Sequence, residues 1–400
     1  MNKTVFTLAL TTALAAQISA GNWTQFRGPD GSGVANEKLP TALAKKNIKW
    51  EIDIPGRGLS SPVIQGDKVF LSAASGPEQT RLHVICLNAK SGKKIWERQF
   101  WATGRTMTHP KTCVAAPTPV IHGNRLFVLY SSNDLLCLDL DGNLQWLRGL
   151  TLDYPNASNS LGMSSSPIVV DGVLVVQVEN DSESFAAGIN VRTGENLWKL
   201  DRPKGANWTS PTAAKTSGKW VAVLQSGKGI HAVDPRTGEE AWYFRGGAST
   251  IPSSTLGPDG TLYVPSNGIT ALKPGSASKD VKEVWVSGRL KPGTSSPLIL
   301  GNRIFTVNNS GVLTCGDTST GDRLWQIRMK GKKFSATPLA SAGHIYAVNE
   351  DGVLQVISYK GEEGEVLSTL ELGDVVLATP SIANGAIYVR SDKRLWKIGG

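Results

Sequence analysis

The chain has 400 residues, with 42 Lys and Arg against 33 Asp and Glu, five His and four Cys. The resulting charge of +9 is spread along the chain without a block of like charges. It favours acidic partners or surfaces and argues against nucleic acid, which calls for a concentrated basic patch. The length suits two or three ordinary domains, so any reading as one unit has to come from a pattern that runs through the whole chain.

Residues 1–20 read as a secretory signal peptide. Lys3 gives the charged start, Val5 to Ala16 is apolar but too short to span a bilayer, and Ile18-Ser19-Ala20 forms a cleavage site before Gly21. No Cys lies near that site and no second long apolar run follows, so a periplasmic or secreted, soluble mature chain is expected. Residues 21–46 form an N-terminal arm. Its turn-rich stretch Trp23-Thr24-Gln25-Phe26-Arg27-Gly28-Pro29-Asp30-Gly31 is expected to pack in order across the molecule.

From residue 47 to 400 one unit repeats. Its clearest copy is Ser295 to Trp325. Ser295-Ser296-Pro297 opens a strand, where a Pro without an N–H is tolerated. Leu298 to Leu300, Arg303 to Val307, Val312 to Cys315 and Arg323 to Ile327 then read as four short strands joined by turn sequences rich in Gly and Asn. Equivalent openings fall at Pro62, Pro119, Pro167, Pro211, Thr255, Pro297, Pro338 and Pro380. Most copies close on Gly, three residues and Trp: Gly92/Trp96, Gly142/Trp146, Gly194/Trp198, Gly238/Trp242 and Gly321/Trp325. A period in the low forties with four strands per copy predicts an all-β, eight-bladed β-propeller of four-stranded antiparallel blades. Two copies are degraded. Blade five carries Thr255 in place of Pro, and blade seven has Gly364 but Ser368 in place of Trp.

The ends of the chain complement each other. The strand at 47–52 carries Trp50 but has no opening before it, and the last copy stops after its third strand, residues 394–398. Pairing the two would close the ring and remove its exposed sheet edges. Three of the four Cys (Cys86, Cys137 and Cys315) hold the same third-strand position in different blades, too far apart to bridge, and read as small buried hydrophobes.

The turns joining first to second and third to fourth strands lie on one face. They are short, as at Gly66-Asp67 and Gly301-Asn302. Loops between blades and between second and third strands lie on the other face. The longest, Ala73 to Arg81, Phe100 to Ala115 and Gly149 to Ser164, belong to blades one to three, so recognition is expected there. The candidate binding residues on that face are Arg57, His109, Lys111, Trp208 and Arg245. Arg57, between two glycines, either binds a carboxylate or phosphate or braces its loop. His109 is either a hydrogen-bonded loop residue or a base. Glu179 to Glu183 is either a calcium site or a solvated acidic loop.

The segment Ala232-Val233-Asp234-Pro235-Arg236-Thr237-Gly238-Glu239-Glu240-Ala241-Trp242 resembles the tryptophan-docking repeat of quinoprotein alcohol dehydrogenases and equally that of the BamB family. Over its mature length the chain resembles exported PQQ-binding-like propeller proteins of planctomycete and verrucomicrobial bacteria. The stretches that carry this resemblance are Trp23 to Gly33, Pro55 to Pro62 and His109-Pro110-Lys111 through Pro117-Thr118-Pro119. The resemblance implies that Trp96, Trp146, Trp198, Trp242, Trp285 and Trp325 pack between blades and are not site residues. It also raises PQQ as a cofactor. The dehydrogenases are usually longer and have a vicinal disulfide and a calcium beside a catalytic Asp, and this chain has no adjacent Cys pair. The expectation is therefore a monomeric, non-catalytic binding or scaffold propeller of the cell envelope, without PQQ or metal, that meets an envelope protein or acidic ligand on its loop face. A quinoprotein oxidoreductase with a divergent site is the alternative.

Overall fold

The structure is a computed structural model that describes residues 21–157, 161–275, 281–359 and 361–400. The segment read as a signal peptide lies outside the described residues. The described chain forms eight antiparallel sheets arranged as blades. Blade one uses Val63–Gln65, Lys68–Ser75, Arg81–Asn88 and Lys94–Trp101, and blades two to seven repeat that meander in chain order. Blade eight takes Ser381–Ala383, Ala386–Arg390 and Arg394–Gly399 from the C-terminus and Ile48–Asp53 from the N-terminus. Ile48 pairs with Ile398 and Asp53 with Arg394, which closes the ring as the sequence predicts.

The Gly-to-Trp spacing has a physical cause at each boundary between blades. Every fourth strand carries a register shift beside the tryptophan position, for example between Cys315 and Gly316 opposite Trp325, and the same shift recurs in the other seven sheets. Such a bulge bends the strand and re-aims a side chain. Six of the indoles so turned, Trp50, Trp96, Trp146, Trp198, Trp285 and Trp325, lie on a turn glycine of the next blade, while Trp242 donates to Thr216 Oγ1 of its own blade. A Cβ on Gly142 would sit 2.8 Å from the Trp96 ring, and one on Gly194 would sit 2.8 Å from Trp146. Gly142 also has φ +86°, so the position requires glycine on both counts. The indole N–H groups of Trp50, Trp96, Trp146, Trp198 and Trp285 donate to carbonyls of that next blade at 2.8–3.3 Å. Trp325 docks on Gly364 but its N–H has no partner among the described residues.

Two features revise the sequence reading. In blade five the residue before the first strand pair, Thr255 with Tyr263, is Ser254. Ser254, not Thr255, therefore stands where the other blades have Pro, and blade five is spaced 43 residues from the openings on either side. In blade seven Ser368 occupies the tryptophan position, opposite Val356. Its hydroxyl donates to the Thr41 carbonyl at 2.6 Å and accepts from the Leu43 N–H at 3.0 Å. The N-terminal arm thus fills the place an indole would take.

The arm runs across the turn face. Trp23 pairs with Ile64 of blade one, and the Thr24 carbonyl accepts from Ile121 of blade two. Val34–Ala35 adds a parallel strand to Leu339–Ser341 of blade seven. All four cysteines are buried and unbridged. Burial pushes the thiols of Cys86, Cys113 and Cys315 up to about 12, so they behave as core residues and not as thiolates. Among the described residues, no helix is long and apolar enough to cross a membrane.

Candidate functional site

The residue just inside each blade opening carries a hydroxyl: Ser61, Thr118, Ser166, Ser210, Ser253, Ser296, Thr337 and Thr379. They form a ring around the central channel. The backbone N–H of Ser61 donates to Thr118 Oγ1 at 2.9 Å. Thr118 in turn bonds Ser166 Oγ, Ser166 bonds Ser210, and Ser210 bonds Ser253, at 2.9–3.0 Å. Ser253 bonds Ser296, Ser296 bonds Thr337 Oγ1, and Thr337 bonds Thr379 Oγ1, at 3.0–3.2 Å. Seven links run in one direction, each satisfying a backbone N–H where a short first strand starts. The eighth, from blade eight back to blade one, is not made, because Ser61 Oγ has no partner.

Above this ring the channel widens into a cavity of about 360 Å³ on the loop face. Leu59, Ala116, Ile251 and Leu377 supply apolar wall, Trp208 an aromatic surface, and Phe26 of the arm the floor. Beneath Phe26 the chain is anchored by the buried Arg27. Its guanidinium donates to Thr255 Oγ1 at 2.6 Å and to the Ser254 carbonyl at 2.8 Å. Burial lowers its pKa to about 10, which still leaves it charged at neutral pH. The arm therefore stops the channel from the turn face, and the cavity opens on the loop face.

Three of the five candidate residues line this cavity: His109, Lys111 and Trp208. The loop carrying the first two leans over the mouth. The His109 N–H donates to the Leu161 carbonyl at 2.8 Å, and the Lys111 N–H donates to His109 Nδ1 at 3.1 Å. Lys111 Nζ reaches Glu350 of blade seven at 2.9 Å, and Glu350 also accepts from the Ser335 hydroxyl at 2.7 Å. Trp208 is fixed through its backbone N–H, which donates to the Thr250 carbonyl.

The other two candidates lie outside the cavity lining. Arg57 pairs with Asp392 at 2.9 Å and donates to the Pro110 carbonyl at 3.3 Å, so of the two readings of Arg57 its contacts match the brace, tying blade one to blade eight. Arg245 is exposed on the loop after blade four. The Glu179 to Glu183 segment is buried at one end and solvated in the middle, where Asp181 is exposed. Glu179 is buried and ion-paired with the equally buried Arg202 at 2.8 Å, and it also accepts from Asn207. Among the described residues no group of three or more His, Cys, Asp or Glu side chains could hold a metal.

The sequence reading missed the hydroxyl ring and a second buried guanidinium, Arg390. Arg390 donates to Ser60 Oγ at 2.6 Å, and burial lowers its pKa to about 10. The signal for the ring was present, since seven of its eight members stand immediately before the blade-opening Pro.

With this geometry in hand, the chain is a tryptophan-docked β-propeller of the PQQ-like repeat type. It belongs to the family described as outer membrane protein assembly factor BamB, whose model matches residues 41–161, 83–245 and 266–371. Among curated relatives, the polyvinylalcohol dehydrogenase of Sphingopyxis sp. (strain 113P3) is 24% identical over 50% of this chain and 35% of its own length. This chain spans less than half the length of the first curated relatives it matches. Among solved structures, BamB from Moraxella catarrhalis superposes with a TM-score of 0.64 at 16% identity, over 88% of this chain and 97% of that one. The quinohemoprotein alcohol dehydrogenase of Comamonas testosteroni gives 0.69 at 14%, over 95% and 81%. At these identities the superpositions show the shared fold and nothing finer.

Proposed function

We propose that this protein is an exported, non-catalytic binding module of the cell envelope that takes an acidic partner on its loop face, with Lys111, Trp208 and Arg245 among the contacts. The observation that carries this reading is the asymmetry of the two faces. One is made of tight turns and is crossed by an arm that bonds blades one, two and seven. The other presents the long loops, the cavity mouth, and cationic and aromatic side chains, which dominate binding energetics.

The quinoprotein alternative rests on the fold shared with the dehydrogenases. PQQ is a planar quinone with three carboxylates and works beside a bound cation. Among the described residues the cavity lining holds one ammonium, Lys111, already paired with Glu350, and no carboxylate side chain. These residues do not fit that group.

Recovery from envelope extract tests the proposal. Lys111→Glu with Arg245→Ala should lose the bound partner, while the turn-face variant Asp67→Ala should keep it. Equal recovery by wild type and the loop-face variant, with loss in the Asp67 variant, would place binding on the opposite side. An absorbance titration with PQQ and calcium, coupled to a dye-linked alcohol assay, should give neither a stoichiometric band nor turnover. Either signal would restore the enzyme reading.

A further inference from the structure

The hydrogen-bond arithmetic of the ring says what chemistry the cavity selects. A hydroxyl has one hydrogen to donate and two lone pairs with which to accept. Seven ring hydroxyls each accept a backbone N–H from the preceding blade. None of those seven donates to a protein acceptor among the described residues, so seven O–H hydrogens remain unspent around the channel. The eighth, Ser61, is 1% exposed, and its Oγ has no hydrogen-bond partner among the described residues. Buried polar groups left without partners are costly, so such a set calls for something to accept from it. At the mouth, His109 Nδ1 is occupied as an acceptor by the Lys111 N–H. The neutral imidazole therefore carries its hydrogen on Nε2 and adds another donor.

Acceptors are correspondingly scarce. Among the described residues, no Asp, Glu, Asn or Gln side chain lines the cavity. The remaining wall is apolar or aromatic, and 360 Å³ lies within the size range of small-molecule sites.

We propose that the cavity binds a small organic acceptor: an apolar body of one or two rings bearing carbonyl or carboxylate oxygens, neutral or singly anionic. Its oxygens take the unspent hydroxyl hydrogens, Ser61 among them, and its rings lie against Trp208, Ile251 and Phe26. A cationic molecule of the same shape meets the Lys111 ammonium at the mouth, and could use only the hydroxyls' remaining lone pairs while leaving their hydrogens unspent. This rests on the loop face being the binding face and adds the chemistry of what enters it.

Calorimetry on the mature chain with three probes sharing one ring system provides the test: 2-naphthoate, 2-acetylnaphthalene and 2-naphthylmethylammonium. The first two should bind, and the ammonium should bind at least about tenfold more weakly, in line with the cost of unmatched buried polar groups. Ser61→Ala removes no hydrogen bond within the protein, so it should leave the melting temperature unchanged and weaken naphthoate roughly three- to tenfold. Ile251→Glu, on an exposed loop, places an acceptor in the wall and should reverse the preference toward the ammonium. The proposal is overturned if neither acceptor probe binds, if the ammonium binds equally well, or if both variants bind as wild type does. Failure of the probes with partner recovery intact would remove this inference alone. Loss of loop-face dependence in the recovery experiment would remove the underlying reading as well.

Discussion

The boundary between blades two and three and the one between blades seven and eight do the same job with different parts. At the first, Trp146 leaves its strand at a bulge, covers Gly194 and donates to the Val191 carbonyl. At the second, the bulge is kept but the indole is gone, and Ser368 bonds the backbone of Thr41 and Leu43. The reason lies in connectivity. An indole needs the third-to-fourth strand turn of the following blade, and blade eight has none, because its third and fourth strands come from opposite ends of the chain. The difference teaches that docking is a property of a pair of neighbours and not of a single repeat. A copy that seems degraded in isolation is matched to what stands beside it.

Several substitutions break or sharpen this comparison. The largest effect is expected at a fully buried indole: Trp242→Ala should cost about 3–5 kcal/mol, because the cavity left between blades four and five cannot collapse. Denaturant melts read this directly, and a midpoint equal to wild type would show that the indoles are not boundary core. Gly142→Ala attacks the other half of a docked pair and should cost about 1–3 kcal/mol, through crowding of Trp96 and a left-handed φ.

Restoring the consensus at the exceptional boundary should fail. Ser368→Trp is expected to destabilise by about 1–3 kcal/mol through overpacking, and to expose residues 36–46 to protease. A more stable variant with a protected arm would show that the place has room. Ser368→Ala keeps the volume but loses both bonds to the arm, for about 1 kcal/mol.

The smallest effect comes from a contact that crosses no boundary. Glu97 bonds His83 on the adjacent strand of blade one. Burial pushes its carboxyl up, but hydrogen bonds from Lys94, His83 and Gln99 outweigh that and hold its pKa at about 2. A depressed acid contributes stability above its unfolded pKa and loses it as pH falls toward the folded value. Glu97→Gln should therefore be less stable than wild type at pH 7. The gap should close between roughly pH 4 and 2, with protease sensitivity of the arm unchanged throughout. A gap that persists at pH 2 would assign the effect to lost packing and not to charge.

The blade number and the closure were legible in the sequence because both rest on local chemistry at fixed spacing: a Pro that suits a first strand, a Gly that must yield to a neighbouring ring, and a Trp at a bulge. Blade five was misplaced by one residue because Ser254 removed the Pro on which the alignment turned. The role of Ser368 was hidden because its partners lie more than 320 residues away. The candidate site was half legible. Loop length and charge pointed to the face on which His109, Lys111 and Trp208 line the cavity. Whether Arg57 faced a ligand depended on Asp392, a partner 335 residues distant that no local pattern indicates. The ring hydroxyls were in view but read as part of a strand-start motif, since one Ser or Thr at a blade opening carries no meaning until eight of them share a circle.

Closure also has a consequence in time. The strand Ile48–Asp53 pairs with Arg394–Gly399, so its partner leaves the ribosome long after it does. At a synthesis rate of roughly 5–20 residues per second, the 350 residues separating Ile48 from Ile398 correspond to roughly 20–70 s of translation. During that interval an amphipathic edge with alternating burial stands open. A nascent chain of this kind therefore needs a holding factor, or separation from its own copies, for as long as its first strand waits for its last.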